Sequence, residues 1–309
     1  MPRPRLRTQY NLHRTNSGRL ASGMDKTEKD KRTPAIQVQN WPKALRSIVV
    51  ADPGWVMIGA DWRAIQFAML MLRAAAIDEP HGFHLDLLDK QQAGTLDPHS
   101  FLAENFLRAK LLEAMGGSKT VEVGSRKAIR QMMKGYTYGR AFLGAPEVLA
   151  MEQGHAVALG RTVCDVHDKS FLLGHWQQFE IEQAVSRHFT ETVRGFRRWF
   201  WESVVRGPDG TVKKPKPQEI LGAVIQGDES ELMKWMLGNV AEDLGPDFRS
   251  DEIEMLTTTH DSVLLQARED KAEEAKRWLI EHMERKCPFL GGRGFVCEAK
   301  VGRTWKDVS

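Results

Sequence analysis

Trp55-Val-Met-Ile-Gly-Ala-Asp61-Trp62 and, far downstream, Ile253-Glu-Met-Leu-Thr-Thr-Thr259-His260-Asp261-Ser262-Val-Leu-Leu-Gln266 are the stretches whose reading decides the fold. The first follows a turn at Asp52-Pro53-Gly54 and is short, β-branched or aromatic at several positions, and bounded by polar residues. It reads as a buried strand ending at Asp61, followed by a helix over 63–75 rich in Ala, Met and Leu. The second reads as strand, tight turn and strand, with an acid at the tip. Asp61 and Asp261 are thus strand-end carboxylates flanked by apolar residues, each costly if buried without a partner. A divalent cation shared between two such groups removes that cost and creates a reactive centre. The plainer alternative is that both are caps or turn residues.

Working outward, 98–115 reads as a helix with Pro98 in its first turn, broken by Gly116-Gly117. A further helix covers 124–142, residues 145–205 read as mostly helical, and 217–243 is helical again. The aromatics of 176–201 fit helix packing. A charged loop is expected at 23–35 and a hairpin tip at Pro208-Asp209-Gly210. Asp270 is placed to cap a helix running to about residue 285. No internal repeat or low-complexity tract interrupts the chain.

The 309 residues suffice for one large or two modest domains with a real core. With 41% hydrophobic and 28% charged residues, composition excludes collagen-like and disordered classes. Three scattered cysteines, Cys164, Cys287 and Cys297, exclude a disulfide scaffold and point to a reducing, cytoplasmic compartment. No apolar run is long enough to span a bilayer, so no membrane partner is expected. The Arg-rich, acid-free first 20 residues lack the apolar stretch of a secretory signal.

The net charge is only +3, but the cations are clustered. Residues 106–140 hold eight Lys or Arg against two acids, which suggests a polyanion held at defined places. Within that stretch Arg126, Arg130, Lys134 and Tyr138 recur every four residues and share a helix face. Three cations in a row repel one another unless an anion lies across them, and a triphosphate fits the stripe. Tyr138, followed by Gly139, offers a surface for a base. A solvated basic face is the simpler alternative. A zinc site built on Cys164, His167 and His175 has at most three ligands and no second Cys pair, so free side chains on helices explain these residues better.

The order of these segments resembles the polymerase region of family A DNA polymerases. Ser17-Gly18-Arg19-Leu20-Ala21-Ser22 is similar to the family's T-G-R-L-S-S. Val38-Gln39-Asn40-Trp41-Pro42 is similar to L-Q-N-I-P, and Ala60-Asp61-Trp62-Arg63-Ala64-Ile65-Gln66 to motif A, A-D-Y-S-Q-I-E. Asp97-Pro98-His99 resembles the D-I-H before the fingers, and Arg126 to Gly139 matches motif B, R-x3-K-x7-Y-G, in spacing. Gln226-Gly227, Thr259-His260-Asp261-Ser262 and Val301-Gly302-Arg303-Thr304-Trp305 resemble the M-Q-G helix, motif C and the closing V-G-x-x-W.

The resemblance implies a mixed α+β fold. A palm with an antiparallel sheet is expected from 1–75 and 206–309, and largely helical fingers from 76–205. The implied function is DNA-directed DNA polymerase, adding dNTPs to a primer 3′-hydroxyl on primer–template DNA by two-metal transfer. Asp61 and Asp261 would hold two Mg²⁺ ions with the Trp62 carbonyl. Arg126, Arg130 and His99 would hold the triphosphate, and Tyr138 would stack near the templating position. Arg19, Gln39, Asn40, Gln226 and His260 would touch primer and template, checking shape without reading sequence.

Departures from the family pattern are Gln66 for the sugar-discriminating Glu, Lys134 for the sugar-facing aromatic, Arg130 for Lys, Ser262 for Glu and Ala68 for Arg. Gln66 and Lys134 bear on sugar selection, and the set suggests a divergent, phage-like branch. Only 16 residues precede Ser17, so the thumb and exonuclease are expected on a separate polypeptide, with weak, salt-sensitive DNA binding by this chain alone. The alternative is a catalytically silent DNA-binding or assembly subunit of a split polymerase.

Overall fold

The computed structural model describes residues 10–11, 15, 18–22, 38–77, 82–115, 126–203, 206, 211 and 214–309. The loop expected at 23–35, the Gly116-Gly117 break and the tip at 208–210 lie outside them. In chain order come β1 (Tyr10–Asn11), β2 (Ala21–Ser22), β3 (Trp55–Trp62), α1 (Ile65–Ala75), α2 (Gly82–Gln92), α3 (Pro98–Met115) and α4 (Arg126–Ala141). They are followed by α5 (Pro146–Glu152), α6 (Val157–Phe171), α7 (Gly174–Arg187), β4 (Phe189–Glu191), β5 (Arg197–Trp199) and α8 (Pro217–Leu244). The chain continues through β6 (Ile253–Thr259), β7 (Ser262–Arg268), α9 (Ala272–Met283) and β8 (Cys297–Gly302). This is a mixed helix and sheet fold, as expected.

The chain divides into two compact units. Unit 1 comprises 1–65, 191–196 and 226–309; unit 2 comprises 66–190 and 197–225. Both divisions of the long helical stretches fall inside elements, within α1 and within α8.

Unit 1 is built on a four-stranded antiparallel sheet in the order β6-β7-β3-β8. β3 is central and buried along nearly its whole length. Its side chains alternate between two faces. Met57 joins a core cluster with Val38, Ala51, Leu264, Trp305 and Val308. Gly59, two residues on, lies on the same face, where an added Cβ would stand 2.5 Å from the Val308 carbonyl oxygen. Only glycine permits that approach. Trp62 belongs to the opposite face, and its indole N–H donates to the Met283 carbonyl at the end of α9, 2.8 Å away. Tyr10 secures the short β1–β2 pair to β6, its hydroxyl donating to the Thr258 carbonyl at 2.9 Å.

Unit 2 is largely helical. α1 is apolar apart from Gln66 and Arg73, and Phe67, Ala68, Met69, Leu70 and Met71 are fully buried. Phe67 meets Phe171 of α6 edge-on, with ring centroids 5.6 Å apart. α3, α4, α5 and α6 pack on one another. Gly160 permits the α5–α6 contact: an added Cβ would lie 2.7 Å from the Pro146 carbonyl oxygen.

Two local expectations are corrected. The helical reading of 145–205 fails at its end, where α7 stops at His188 in a left-handed conformation (φ 62°) and the β4–β5 hairpin follows. Gly195 turns that hairpin at φ 85°, and Phe189, Thr190 and Trp199 are residue types that favour a strand. Asp270 is not a cap. It sits inside a 3-10 turn, Glu269–Lys271, and its carboxylate reaches back to Arg268 at 3.5 Å.

Candidate active site

The strand register brings the two sequence-predicted carboxylates together. Asp61 pairs with Ser262 across β3 and β7, and Asp261 is the residue before Ser262. The β6–β7 turn is only His260-Asp261, because Thr259 pairs with Ser262. His260 takes a left-handed backbone conformation (φ 57°) to close it, unusual for a residue with a Cβ. Ser262 locks the turn by donating its hydroxyl to the Thr259 carbonyl at 2.9 Å.

Asp61, Trp62, His260 and Asp261 line a cleft of about 410 Å³ in unit 1. Its rim also carries Glu298 and Lys300 from β8, Arg63, and Lys43 and Arg46. Arg63 pairs with Glu298 at 2.9 Å, and Arg46 lies 4.6 Å over the Trp305 ring. Glu298, Lys300 and Arg46 were not foreseen. β8 alternates polar and apolar residues, Cys297-Glu-Ala-Lys-Val-Gly302, and that period was the available signal.

Asp61 keeps solvent contact along the cleft, yet the surrounding sheet removes enough water to push its pKa from 3.8 up to about 7. Repulsion by Asp261, then Glu229, then Glu298 adds to desolvation, and Lys300 opposes it. Asp261 is also raised, chiefly by desolvation, which outweighs its own backbone N–H, Arg19 and His260. Two adjacent carboxylates that resist ionising together are a donor pair suited to a hard divalent cation. Among the described residues no group of three or more His, Cys, Asp and Glu side chains forms a closed metal cage, so such an ion would draw further oxygen donors from backbone or ligand.

The repulsion has a measurable sign. A carboxylate raised in the folded state is protonated more readily there than in the unfolded chain. Its ionisation therefore costs stability progressively between pH 3.8 and about 7, and fully above. In metal-free buffer Asp61→Asn should raise Tm at pH 8, with the gain shrinking as pH falls toward 4. Mg²⁺ should raise Tm of the wild type and leave the variant nearly unchanged. Thermal melts at several pH values, with chelator or Mg²⁺, check both.

Of the other sequence-predicted residues of unit 1, Arg19, Gln39, Asn40 and Gln226 are not brought into the lining of this cleft. Arg19 forms an ion pair with the buried Glu229 of α8 and is electrostatically coupled to Asp261 and His260. Burial lowers the His260 pKa, and Arg19 lowers it further. Gln39 is buried: its carbonyl accepts the Ser22 N–H at 2.8 Å and its amide donates to the Thr258 carbonyl at 3.3 Å. Asn40 is exposed at the end of a 3-10 turn, and Gln226 is half-buried in α8.

Unit 2 holds the second group. Arg130 of α4 grips Asp97 with two N–H donors, Nε at 2.9 Å and Nη2 at 2.6 Å, so the stripe of cations already has one fixed anion. Asp97 also accepts the Ser100 N–H at 2.8 Å, capping α3. His99 is buried, its Nδ1 2.9 Å from the Thr137 hydroxyl and its ring edge-on to Tyr138 at 5.6 Å. Desolvation lowers the His99 pKa; Asp97 opposes, and Arg130 and Lys134 lower it further. The ring is therefore neutral at pH 7. Lys134 is exposed, Gln66 is half-buried in the first turn of α1, and Arg126 begins α4 with its side chain outside the described residues. The structure thus groups His99, Arg130, Lys134 and Tyr138 in unit 2, and Asp61, Trp62, His260 and Asp261 in unit 1.

Cys164, His167 and His175 do not form a metal site. Cys164 is buried and pushed up to about 11 by desolvation, and the His167 ring is engaged by the Thr137 carbonyl at 3.0 Å. His175 is exposed. No helix among the described residues is long and apolar enough to cross a membrane.

The solved POL domain of Pol1 from M. smegmatis, in complex with DNA primer-template and dNTP, has the same fold, with a TM-score of 0.70 at 22% identity. The match covers 97% of this chain and 48% of that one. The thermostable DNA polymerase I of Thermus thermophilus is 26% identical over 97% of this chain, and that of Thermus filiformis 24% over 98%. DNA polymerase I of Chloroflexus aurantiacus is 25% identical over 99%. The chain spans about a third of these curated relatives, 32%, 33% and 29% of their lengths respectively. The family profile described as DNA polymerase family A matches residues 2–307. With the profile matched over nearly its whole length, the chain belongs to DNA polymerase family A.

Proposed function

We propose that this chain is a DNA-directed DNA polymerase unit that transfers nucleotides from dNTPs to a primer 3′-hydroxyl on a template. The observation that carries this reading is the juxtaposition of Asp61 and Asp261 at adjoining strand ends in one cleft. Unit 1 then corresponds to the palm, and the helical unit 2 to the fingers.

In this reading Asp61, Asp261 and the Trp62 carbonyl hold Mg²⁺, two ions in all. Bound Mg²⁺ supplies Lewis-acid activation of the 3′-hydroxyl and neutralises charge on the departing pyrophosphate. The rest of the work falls to side chains. Arg130, its guanidinium oriented by Asp97, binds triphosphate oxygens with Arg126 and Lys134 as further donors, and His99 helps to hold the triphosphate. Tyr138 offers its ring to the base and Gln66 bears on the sugar. Arg19, Gln39, Asn40, Gln226 and His260 contact primer and template.

The test is primer extension on a primed template with four dNTPs and Mg²⁺ at low salt. Expected is extension that follows the template base and stops when the complementary dNTP is withheld. Adding a thumb-bearing polypeptide should lengthen the products made per binding event. A well-folded chain that yields no product under either condition would instead support a catalytically silent subunit.

A further inference from the structure

The β4–β5 hairpin and the turn after it carry an aromatic stack on residues of unit 2. The Phe189 and Trp199 rings lie 4.7 Å apart, and Trp199 and Trp201 lie 5.3 Å apart and nearly parallel, at 15°. Trp201 is 62% exposed and Trp199 41%. The Arg187 and Arg197 guanidinium carbons stand 4.3 and 4.7 Å from the Phe189 centroid. Between the two tryptophans in sequence, Phe200 points the other way and is fully buried with Ala184 and Ile220. Core packing is therefore met by Phe200, and the tryptophans are turned outward.

A parallel pair ending in a ring this exposed leaves a flat π surface in water, beside two cations. The complementary ligand has planar faces and regular negative charge. Duplex DNA shows phosphates but hides its base faces in the stack, whereas a single strand shows both. We propose that Trp201, backed by Trp199, is a stacking platform for an unpaired base of single-stranded nucleic acid, with Arg187 and Arg197 beside its phosphates. None of these residues lines the Asp61/Asp261 cleft, and binding here does not require catalysis.

The test is fluorescence anisotropy with the full chain, comparing labelled oligo(dT) of about 12 nucleotides, within the usual range of such sites, with an abasic oligomer of equal length. Trp201→Ala should weaken oligo(dT) binding about tenfold, the scale of one stacked base, and abasic binding less than about twofold. Trp201→Tyr should restore most of the loss. Replacing Arg187 and Arg197 together with Ala should weaken both ligands and lower the salt slope by about 1.4, at ~0.7 per phosphate contact on a single strand. Primer extension by Trp201→Ala at saturating primer–template should stay within about threefold of wild type, which separates this site from the polymerase reading. Wild-type affinity of Trp201→Ala for oligo(dT) would overturn the proposal and assign the face to a protein partner. Equal losses for oligo(dT) and the abasic oligomer would overturn it as well.

Discussion

Asp61→Ala and Asp261→Ala should each lower primer extension by about 10³-fold or more, with far-UV circular dichroism unchanged. Several kcal/mol of charge stabilisation at a phosphoryl centre corresponds to a loss of that order. The fold should survive because both side chains sit at the cleft and neither belongs to the core clusters. Removing either carboxylate also relieves a repulsion that costs stability above pH 7, so Tm should hold or rise. Lost activity with equal or greater stability is a signature that a merely structural acid would not produce. Glu298 is the control: it lines the same cleft but is spoken for by Arg63, and Glu298→Gln should change extension by less than about tenfold. Extension within tenfold of wild type in both aspartate variants would rule out the paired-carboxylate mechanism.

Trp62→Ala should destabilise unit 1 by about 3–5 kcal/mol, the cost of removing a fully buried large aromatic. Trp62 is 2% exposed and bridges the sheet to α9 through Met283. Trp62→Phe separates the two contributions. It keeps most of the packing but strands the Met283 carbonyl, and should cost about 1–3 kcal/mol. Urea denaturation followed by circular dichroism measures both. Because Trp62 follows Asp61 directly, the Phe variant should also lower extension more than its stability loss explains. A Trp62→Ala variant with an unshifted urea midpoint would show that α9 does not depend on this anchor.

Much of this architecture was legible in the residues. β3 and the β6–β7 pair announced themselves as short β-branched runs closed by turn residues, and α4 by its four-residue stripe. The unread parts have physical causes. β8 is six residues long, too short for its polar–apolar alternation to stand out, and its pairing with β3 depends on partners distant in sequence. The β4–β5 hairpin was absorbed into a helical stretch because its strands are three residues each. At the site, both aspartates could be placed on strand ends, but their adjacency depends on the register of β3 against β7. The Arg130–Asp97 grip and the Arg19–Glu229 pair were likewise invisible, since each joins residues that only the tertiary fold makes neighbours.

The central place of β3 bears on how the molecule assembles. Its hydrogen-bonding partners on both edges, β7 and β8, come from residues 262–302, so the sheet cannot close by local steps. Unit 2 draws all of its residues from between β3 and β7 and is largely helical. Such helices form quickly, whereas distant strand pairing must wait on loop closure. Refolding should therefore run in two stages, helical signal first and the β3 ladder last. The ionic centre would be created only in the final step, so dilute acid or divalent cations, which quiet the clash between its carboxylates, should speed that step in particular.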